Sequence, residues 1–375
     1  MQFIDLKAQY RALKEEINAN IQSVLDSAAF IGGPQVKELE GKLAEYVGRK
    51  YCITCANGTD ALQIAFMMLG VGEGDAVFCP DMTFIASTEP AKMLGAVSVF
   101  CDITADTYTL CPASLERQIK AVLAEGKYTP KVVVAVDILG NPCDYDAIIP
   151  ICEKYGLTLV EDAAQSFGAS YKGKMCCSFG RIAATSFFPA KPLGCYGDGG
   201  AVFVDEEELN GLCRSICVHG KGPGGKYDNI RVGVNSRLDT LQAAILLPKL
   251  KALAEYETDA RQAVAERYNR AFAGKCVTPF VAEGCRSIWA QYAALAKDTE
   301  QRDRVIAHLT EKKIPNMVYY PAPQHALPVF RNEPAYGEAY QNANDYCART
   351  FSLPMHPYLS AEEQQQVIDA VLEVL

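Results

Sequence analysis

The sequence has little with which to grip a polyanion and nothing with which to cross a bilayer. Its 36 Lys+Arg stand against 45 Asp+Glu, a formal charge of −9, and no basic block is present to neutralise a row of phosphates. That excludes nucleic acid as the main partner. No apolar stretch approaches the ~20 residues of a membrane span; the longest strand-like apolar run is Val132 to Val136. Met1-Gln2-Phe3-Ile4-Asp5 lacks the basic and apolar regions of a signal peptide, so the expectation is a cytoplasmic protein without a membrane partner. Histidine is scarce too. His219, His308, His325 and His356 lie far apart and form no H-x-x-x-H arrangement.

Cysteine is abundant, with 15 in 375 residues, but the number is odd and the residues are scattered. Free thiols buried in a reducing compartment are the expectation. Cys52-Ile-Thr-Cys55 has redox spacing, yet a strand there would point its two sulfurs to opposite faces. Cys176-Cys177 has no second pair at zinc-finger spacing, and no metal site is expected.

Apolar residues recur at helical spacing from Gln9 to Ser27, and a second helical pattern through Val36, Leu39 and Leu43 follows the break at Gly32-Gly33-Pro34. Strands then alternate with helices. Strands are predicted at Tyr51–Cys55, Ala76–Cys79, Val97–Cys101, Lys131–Val136 and Leu157–Val160; helices at Thr59–Met68, Ala86–Leu94 and Tyr145–Tyr155. This is the pattern of an α/β fold with a largely parallel sheet covered on both sides. A long helical pattern, Thr240 to Asn269, bridges to a smaller domain with a strand near Ile288–Leu295 and helices near Asp303–Lys312 and Ala361–Leu372. The expected division is 1–245 and 246–375. Gly and Pro density in Gly220–Lys226 predicts a mobile loop.

Three signals carry chemistry. Asn57-Gly58-Thr59-Asp60 joins a strand to a helix, so backbone N–H groups and a hydroxyl can hold a phosphate; a capped helix explains the same residues. Val160-Glu161-Asp162 ends a β-run in carboxylates, where an acid can reach a ligand in the sheet's carboxyl-end crevice or can cap a helix. Lys191 lies between the run Thr185 to Pro189 and the glycine cluster Gly197-Asp198-Gly199-Gly200, which would desolvate its amine and lower its pKa. A phosphate cradle, an acid and a desolvated lysine are what pyridoxal 5'-phosphate asks of a protein. The lysine would form the Schiff base and Asp162 would keep the pyridine nitrogen protonated.

The chain resembles the DegT/DnrJ/EryC1/StrS sugar aminotransferases. The likeness runs through Phe3-Ile4-Asp5-Leu6, Asn57-Gly58-Thr59-Asp60-Ala61-Leu62, Glu161-Asp162-Ala163-Ala164-Gln165-Ser166-Phe167-Gly168-Ala169, Ser186-Phe187-Phe188-Pro189-Ala190-Lys191 and Gly233-Val234-Asn235-Ser236-Arg237-Leu238-Asp239. It implies a fold-type I pyridoxal-phosphate enzyme: a mostly parallel seven-stranded sheet with helices on both faces, plus a smaller α+β C-terminal domain. It implies Lys191 as the cofactor lysine and proton shuttle, Asp162 on the pyridine nitrogen and Gln165 on the ring oxygen. Phe84 would stack on the ring, with core packing as its other reading. Gly58, Thr59 and Ser186 would contact the phosphate, and Asn235 would reach it from the neighbouring subunit of a homodimer.

The implied reaction takes an amino group from L-glutamate, leaving 2-oxoglutarate, and gives it to a nucleotide-linked keto-sugar. Phe187–Gly200, Asn235–Leu247 and Ser352–Leu359 look most like the subgroup that aminates C3 of UDP-2-acetamido-2-deoxy-3-oxo-D-glucuronate for bacterial surface polysaccharide. Another UDP- or dTDP-linked 3- or 4-keto-hexose is the alternative, and a non-catalytic regulator is the alternative of another class. Arg237 is the candidate for an anionic group of the substrate, since a guanidinium grips two oxygens at once; a structural ion pair at the subunit contact is its other reading. Tyr319 and Tyr320 are placed in the sugar pocket. Relatives often have histidine where Tyr319 stands, and Tyr227-Asp228-Asn229 departs from their loop pattern. An NAD-dependent oxidoreductase would need a G-x-G-x-x-G turn after its first strand, whereas Gly32-Gly33-Pro34 precedes that strand.

Overall fold

Gly32 takes a φ of +65°, a region that favours glycine, and Pro34 opens the next helix, so the chain turns sharply between α1 (Leu6–Ser27) and α2 (Pro34–Val47). The computed structural model describes residues 1–225 and 227–375. Lys226, the last residue of the predicted mobile loop, lies outside the described residues.

After α2 strands and helices alternate, the predicted elements joined by several that the sequence did not signal. The order runs β1 (Tyr51–Cys55), α3 (Gly58–Met68), β2 (Asp75–Pro80), α4 (Glu89–Met93), β3 (Val97–Cys101), α5 (Pro112–Glu125) and β4 (Thr129–Val136). It continues with α6 (Tyr145–Tyr155) and β5 (Thr158–Asp162), then two short strands, β6 (Ser170–Tyr171) and β7 (Lys174–Met175), before β8 (Ile182–Ser186), β9 (Gly200–Val204) and α7 (Glu207–Ile216). The helix expected over Ala86–Leu94 is shorter. A 3-10 turn at Ile85–Ser87 precedes α4, because Pro90 lacks an N–H and can sit only in a helix's first turn.

Seven strands form one sheet in the order β1-β9-β8-β5-β4-β2-β3. All run parallel except β9, which is antiparallel to both its neighbours, β1 and β8. Asp162, the last residue of β5, and Ser186, the last of β8, therefore both end at the carboxyl edge, with Asp162 level with Ala184. Both faces are buried. Val77, Val134, Val160 and Val202 pack on one side with Ile64 and Phe66 of α3, while Ala183, Ala201 and Phe203 pack on the other with Leu43 of α2 and Leu246. Strand alternation sends Cys52 to the second cluster and Cys55 to the first, so the pair cannot meet, and every cysteine is a free thiol.

The long helical pattern is α8 (Thr240–Ala252) and α9 (Thr258–Phe272), joined by a π turn at Leu253–Glu257. The expected division at 245/246 falls inside α8. Beyond it β10 (Cys285–Arg286) pairs with β6, and β11 (Tyr292–Leu295) pairs with β12 (Thr350–Leu353). With α10 (Thr299–Glu311), α11 (Gln341–Arg349) and α12 (Ala361–Leu372) these bring Leu309, Phe351, Leu353 and Val367 into a second core, while Phe330 and Tyr346 pack into the core of the large sheet. Among the described residues no helix is long and apolar enough to cross a membrane.

Candidate active site

At the carboxyl edge of the sheet lies a cavity of about 660 Å³. Its wall contains nine of the residues singled out from the sequence: Gly58, Thr59, Phe84, Asp162, Gln165, Ser186, Lys191, Tyr319 and Tyr320.

One end is built by the first turn of α3. Asn57 caps this helix, its Oδ1 accepting from Asp60 N at 2.8 Å, so the preceding N–H groups of Gly58 and Thr59 have no intrahelical acceptor and carry the positive end of the helix dipole. Ser186 closes the cradle. A Cβ at Gly58 would stand 2.6 Å from the Ser186 Cβ, so only glycine lets α3 and β8 approach this closely. The Ser186 Oγ accepts from Phe188 N at 3.2 Å, which leaves its O–H to be donated. This end suits an anion.

The floor carries the acid. Asp162 is 4 % exposed; its Oδ2 accepts from Ser87 Oγ at 2.6 Å and its Oδ1 from Ala164 N at 3.1 Å. No helix follows β5, so the helix-cap reading of Asp162 falls away. Burial pushes its carboxyl above the usual carboxylate range, opposed by the Ser87 and Ala164 bonds and by the Lys191 charge. Its neighbour Glu161 points to the other face, where Cys177 N and Phe179 N donate to it at 2.6 and 2.7 Å. Glu161 lies with Asp137 and Cys176 in a buried group whose ligand atoms are within 4.8 Å of one another. Asp137 accepts from Cys143 N, Tyr145 OH and Ser166 Oγ, so these acids serve as acceptors for backbone and hydroxyl groups.

Lys191 opens on the same cavity, and the surrounding protein withdraws water from its ammonium, lowering its pKa against the raising influence of Asp162. Lys249 is a useful contrast. It is 1 % exposed and its pKa is pushed down to about 8, yet its amine donates to the Gly194 carbonyl and does not line the cavity. Geometry, rather than basicity, distinguishes the two.

Gln165 is fixed at both ends, its Oε1 accepting from Leu139 N at 2.6 Å and its Nε2 donating to Tyr320 OH at 2.8 Å. Phe84 is 54 % exposed, which removes its core-packing reading, and its ring centroid is 6.4 Å from that of Tyr320. The carbonyl of Tyr319 accepts from Tyr346 OH at 2.8 Å.

Asn235 and Arg237 are not among the lining residues. Both are exposed, Arg237 donates to Asn235 Oδ1 at 2.7 Å, and Arg237 borders a separate cavity of about 170 Å³. Tyr227, Asp228 and Asn229 do not line the large cavity either. Sequence reasoning missed Ser87, three residues beyond Phe84, and Gln291, a polar residue in an apolar strand-like run.

The DegT/DnrJ/EryC1/StrS aminotransferase family model matches residues 11–372. The chain belongs to that family. UDP-2-acetamido-2-deoxy-3-oxo-D-glucuronate aminotransferase of Pseudomonas aeruginosa is 48 % identical over 362 residues, covering 96 % of each chain. A DegT/DnrJ/EryC1/StrS aminotransferase of Brucella abortus has a crystal structure with a TM-score of 0.96 at 44 % identity, covering 100 % of this chain and 99 % of the other. NtdA of Bacillus subtilis, crystallised with bound cofactor PMP, gives a TM-score of 0.85 at 28 % identity over 96 % of this chain and 81 % of its own. For a family member the cavity has a matching donor set: an anion cradle at Gly58, Thr59 and Ser186, the buried acid Asp162 and the amine of Lys191, all lining it.

Proposed function

We propose that this DegT/DnrJ/EryC1/StrS protein is a pyridoxal-phosphate-dependent aminotransferase. It moves an amino group from L-glutamate to the C3 ketone of UDP-2-acetamido-2-deoxy-3-oxo-D-glucuronate, in the cytoplasmic synthesis of bacterial surface polysaccharide. The observation that carries this reading is one cavity lined together by Lys191, Asp162 and the Gly58–Thr59 helix start, in a chain 48 % identical to an aminotransferase named for that sugar.

Pyridoxal phosphate supplies, when bound, an aldehyde that captures amines and a ring that accepts electrons. Gly58 N, Thr59 N and the Ser186 hydroxyl would hold its phosphate, Phe84 would pack on its ring, and Gln165 would reach the ring oxygen. Asp162 holds the proton on the ring nitrogen. Lys191 would hold the cofactor through its amine and would move a proton at the amine-bearing carbon. Burial lowers the Lys191 pKa and so favours the neutral amine that both roles use.

Asn235 and Arg237 reach the phosphate and an anionic group of the substrate from the neighbouring subunit, so the active unit is a homodimer. Their exposure, away from the cavity of their own chain, supports that placement. Tyr319 and Tyr320 line the sugar side. Contacts to the UDP portion, remote from the reacting carbon, orient the ketone.

The test runs the reaction backwards, offering a panel of UDP- and dTDP-linked amino sugars with 2-oxoglutarate and measuring glutamate. UDP-linked 2-acetamido-3-amino-glucuronate should be the preferred donor. Reaction confined to dTDP-linked 3- or 4-amino-6-deoxyhexoses would remove the glucuronate assignment, and protein that takes up no pyridoxal phosphate would point to a regulator.

A further inference from the structure

We propose that Thr83 and Ser87 are positioning residues, forming a one-way hydroxyl relay that keeps the Asp162 carboxylate ionised and aimed at the cavity. The Ser87 Oγ lies 2.6 Å from Asp162 Oδ2 and 2.7 Å from Thr83 Oγ1. Each hydroxyl has one hydrogen to give, and an ionised carboxylate can only accept. Ser87 therefore donates its hydrogen to Asp162, and its own oxygen must accept from Thr83. With Asp162 ionised, this count fixes the direction Thr83 to Ser87 to Asp162. Thr83 and Ser87 are each 1 % exposed and Asp162 4 %, so most of each group's surroundings is protein. In such surroundings each bond polarises the next.

The loop bearing the relay is clamped from the other end of the chain. Gln324 Nε2 donates to the Thr83 carbonyl at 2.6 Å and Gln324 N to the Asp81 carbonyl at 2.7 Å. His325 N donates to Asp81 Oδ1 at 2.8 Å, and His325 Nδ1 meets Asp81 Oδ2 at 2.5 Å. Two consecutive residues thus fix where Thr83 can point. The ionisable groups that face Asp162 are the Lys191 ammonium, the buried Cys79 thiol and the Tyr320 phenol. Lys191 is the one cation among these groups, and it favours the ionised carboxyl. Burial opposes ionisation, and after burial the Ser87 bond is the largest influence on Asp162.

The inference deepens the proposed function and rests on it only for what Asp162 holds; the relay itself is readable without cofactor. The full-length chain, labelled with carboxyl-¹³C aspartate and kept free of pyridoxal phosphate, is titrated by NMR. The Asp162 signal is identified by its loss in Asp162→Asn. Removing a hydrogen bond to a charged group should raise the Asp162 midpoint by about one to two pH units in Ser87→Ala. Thr83→Val should give a smaller rise, and Thr83→Ser, which restores the hydroxyl, should return the midpoint toward wild type. Affinity for pyridoxal phosphate should fall in the same order, by about tenfold in Ser87→Ala. Should Ser87→Ala fail to fold, the Thr83→Val and Thr83→Ser pair carries the test. Unchanged midpoints in folded Ser87→Ala and Thr83→Val, or a Thr83→Ser midpoint equal to that of Thr83→Val, would overturn the relay. Shifted midpoints in a chain that binds no pyridoxal phosphate would uphold the relay and overturn the functional reading.

Discussion

Gly58 and Ser186 stand so close that a Cβ on the glycine would come within 2.6 Å of the serine Cβ. The start of α3 and the end of β8 thus form one surface, and its spacing is set by an absent side chain. Gly58→Ala has to push the two apart. An overpacking cost of about 1–3 kcal/mol, felt at the cradle, predicts a loss of pyridoxal-phosphate affinity of about 5- to 150-fold in a fluorescence titration. Unchanged affinity would mean that the cradle does not hold the phosphate.

Asp162→Asn keeps the shape of the side chain and a bond to Ser87 but removes the charge. Turnover should drop by about 10²–10⁴-fold while the circular dichroism spectrum stays that of wild type. A variant retaining near-normal kcat would show that the ring-nitrogen acid lies elsewhere.

If Asn235 serves the neighbouring subunit, two inactive variants should complement each other. Lys191→Ala and Asn235→Ala, unfolded together and refolded as a mixture, pair at random. Half the dimers are then mixed and each contains one intact site, so about a quarter of wild-type activity should return. No recovery, with mixed dimers verified by mass, would place Asn235 outside a shared site.

His356 is 2 % exposed, and burial together with the Arg261 charge pushes its pKa down to about 4 from an ordinary 6.5. Between those values the unfolded chain binds a proton that the folded chain refuses. Stability is therefore intact above about pH 6.5 and is lost as pH falls toward 4, by about 3 kcal/mol at most. His356→Gln should narrow the difference in melting temperature between pH 7 and pH 5. An undiminished difference would assign the acid sensitivity to other groups.

Much of this was legible in the sequence where a local pattern coincides with a tertiary role. Tyr51–Cys55, Val97–Cys101 and Tyr145–Tyr155 have the predicted bounds because β-branched runs and amphipathic spacing there agree with burial. Ile182–Ser186 and Gly200–Val204 gave no strand signal. Their alanines and glycine have weak β-propensity, and a strand buried on both faces shows no alternation. Lys191, Asp162 and Gly58 announce themselves through their flanking residues. Ser87 could not, because its meaning depends on a 2.6 Å contact with a residue 75 positions away. Asp81 and His325 are likewise joined only by the fold, across 244 positions.

The account's central claim is covalent and can be read directly. Protein incubated with pyridoxal phosphate, reduced with borohydride and digested should carry the cofactor's mass on the peptide containing Lys191, and Lys191→Ala should carry none. Lys249, a buried lysine whose pKa is also depressed, is the internal control. Label on Lys249, or on no lysine at all, would contradict the account.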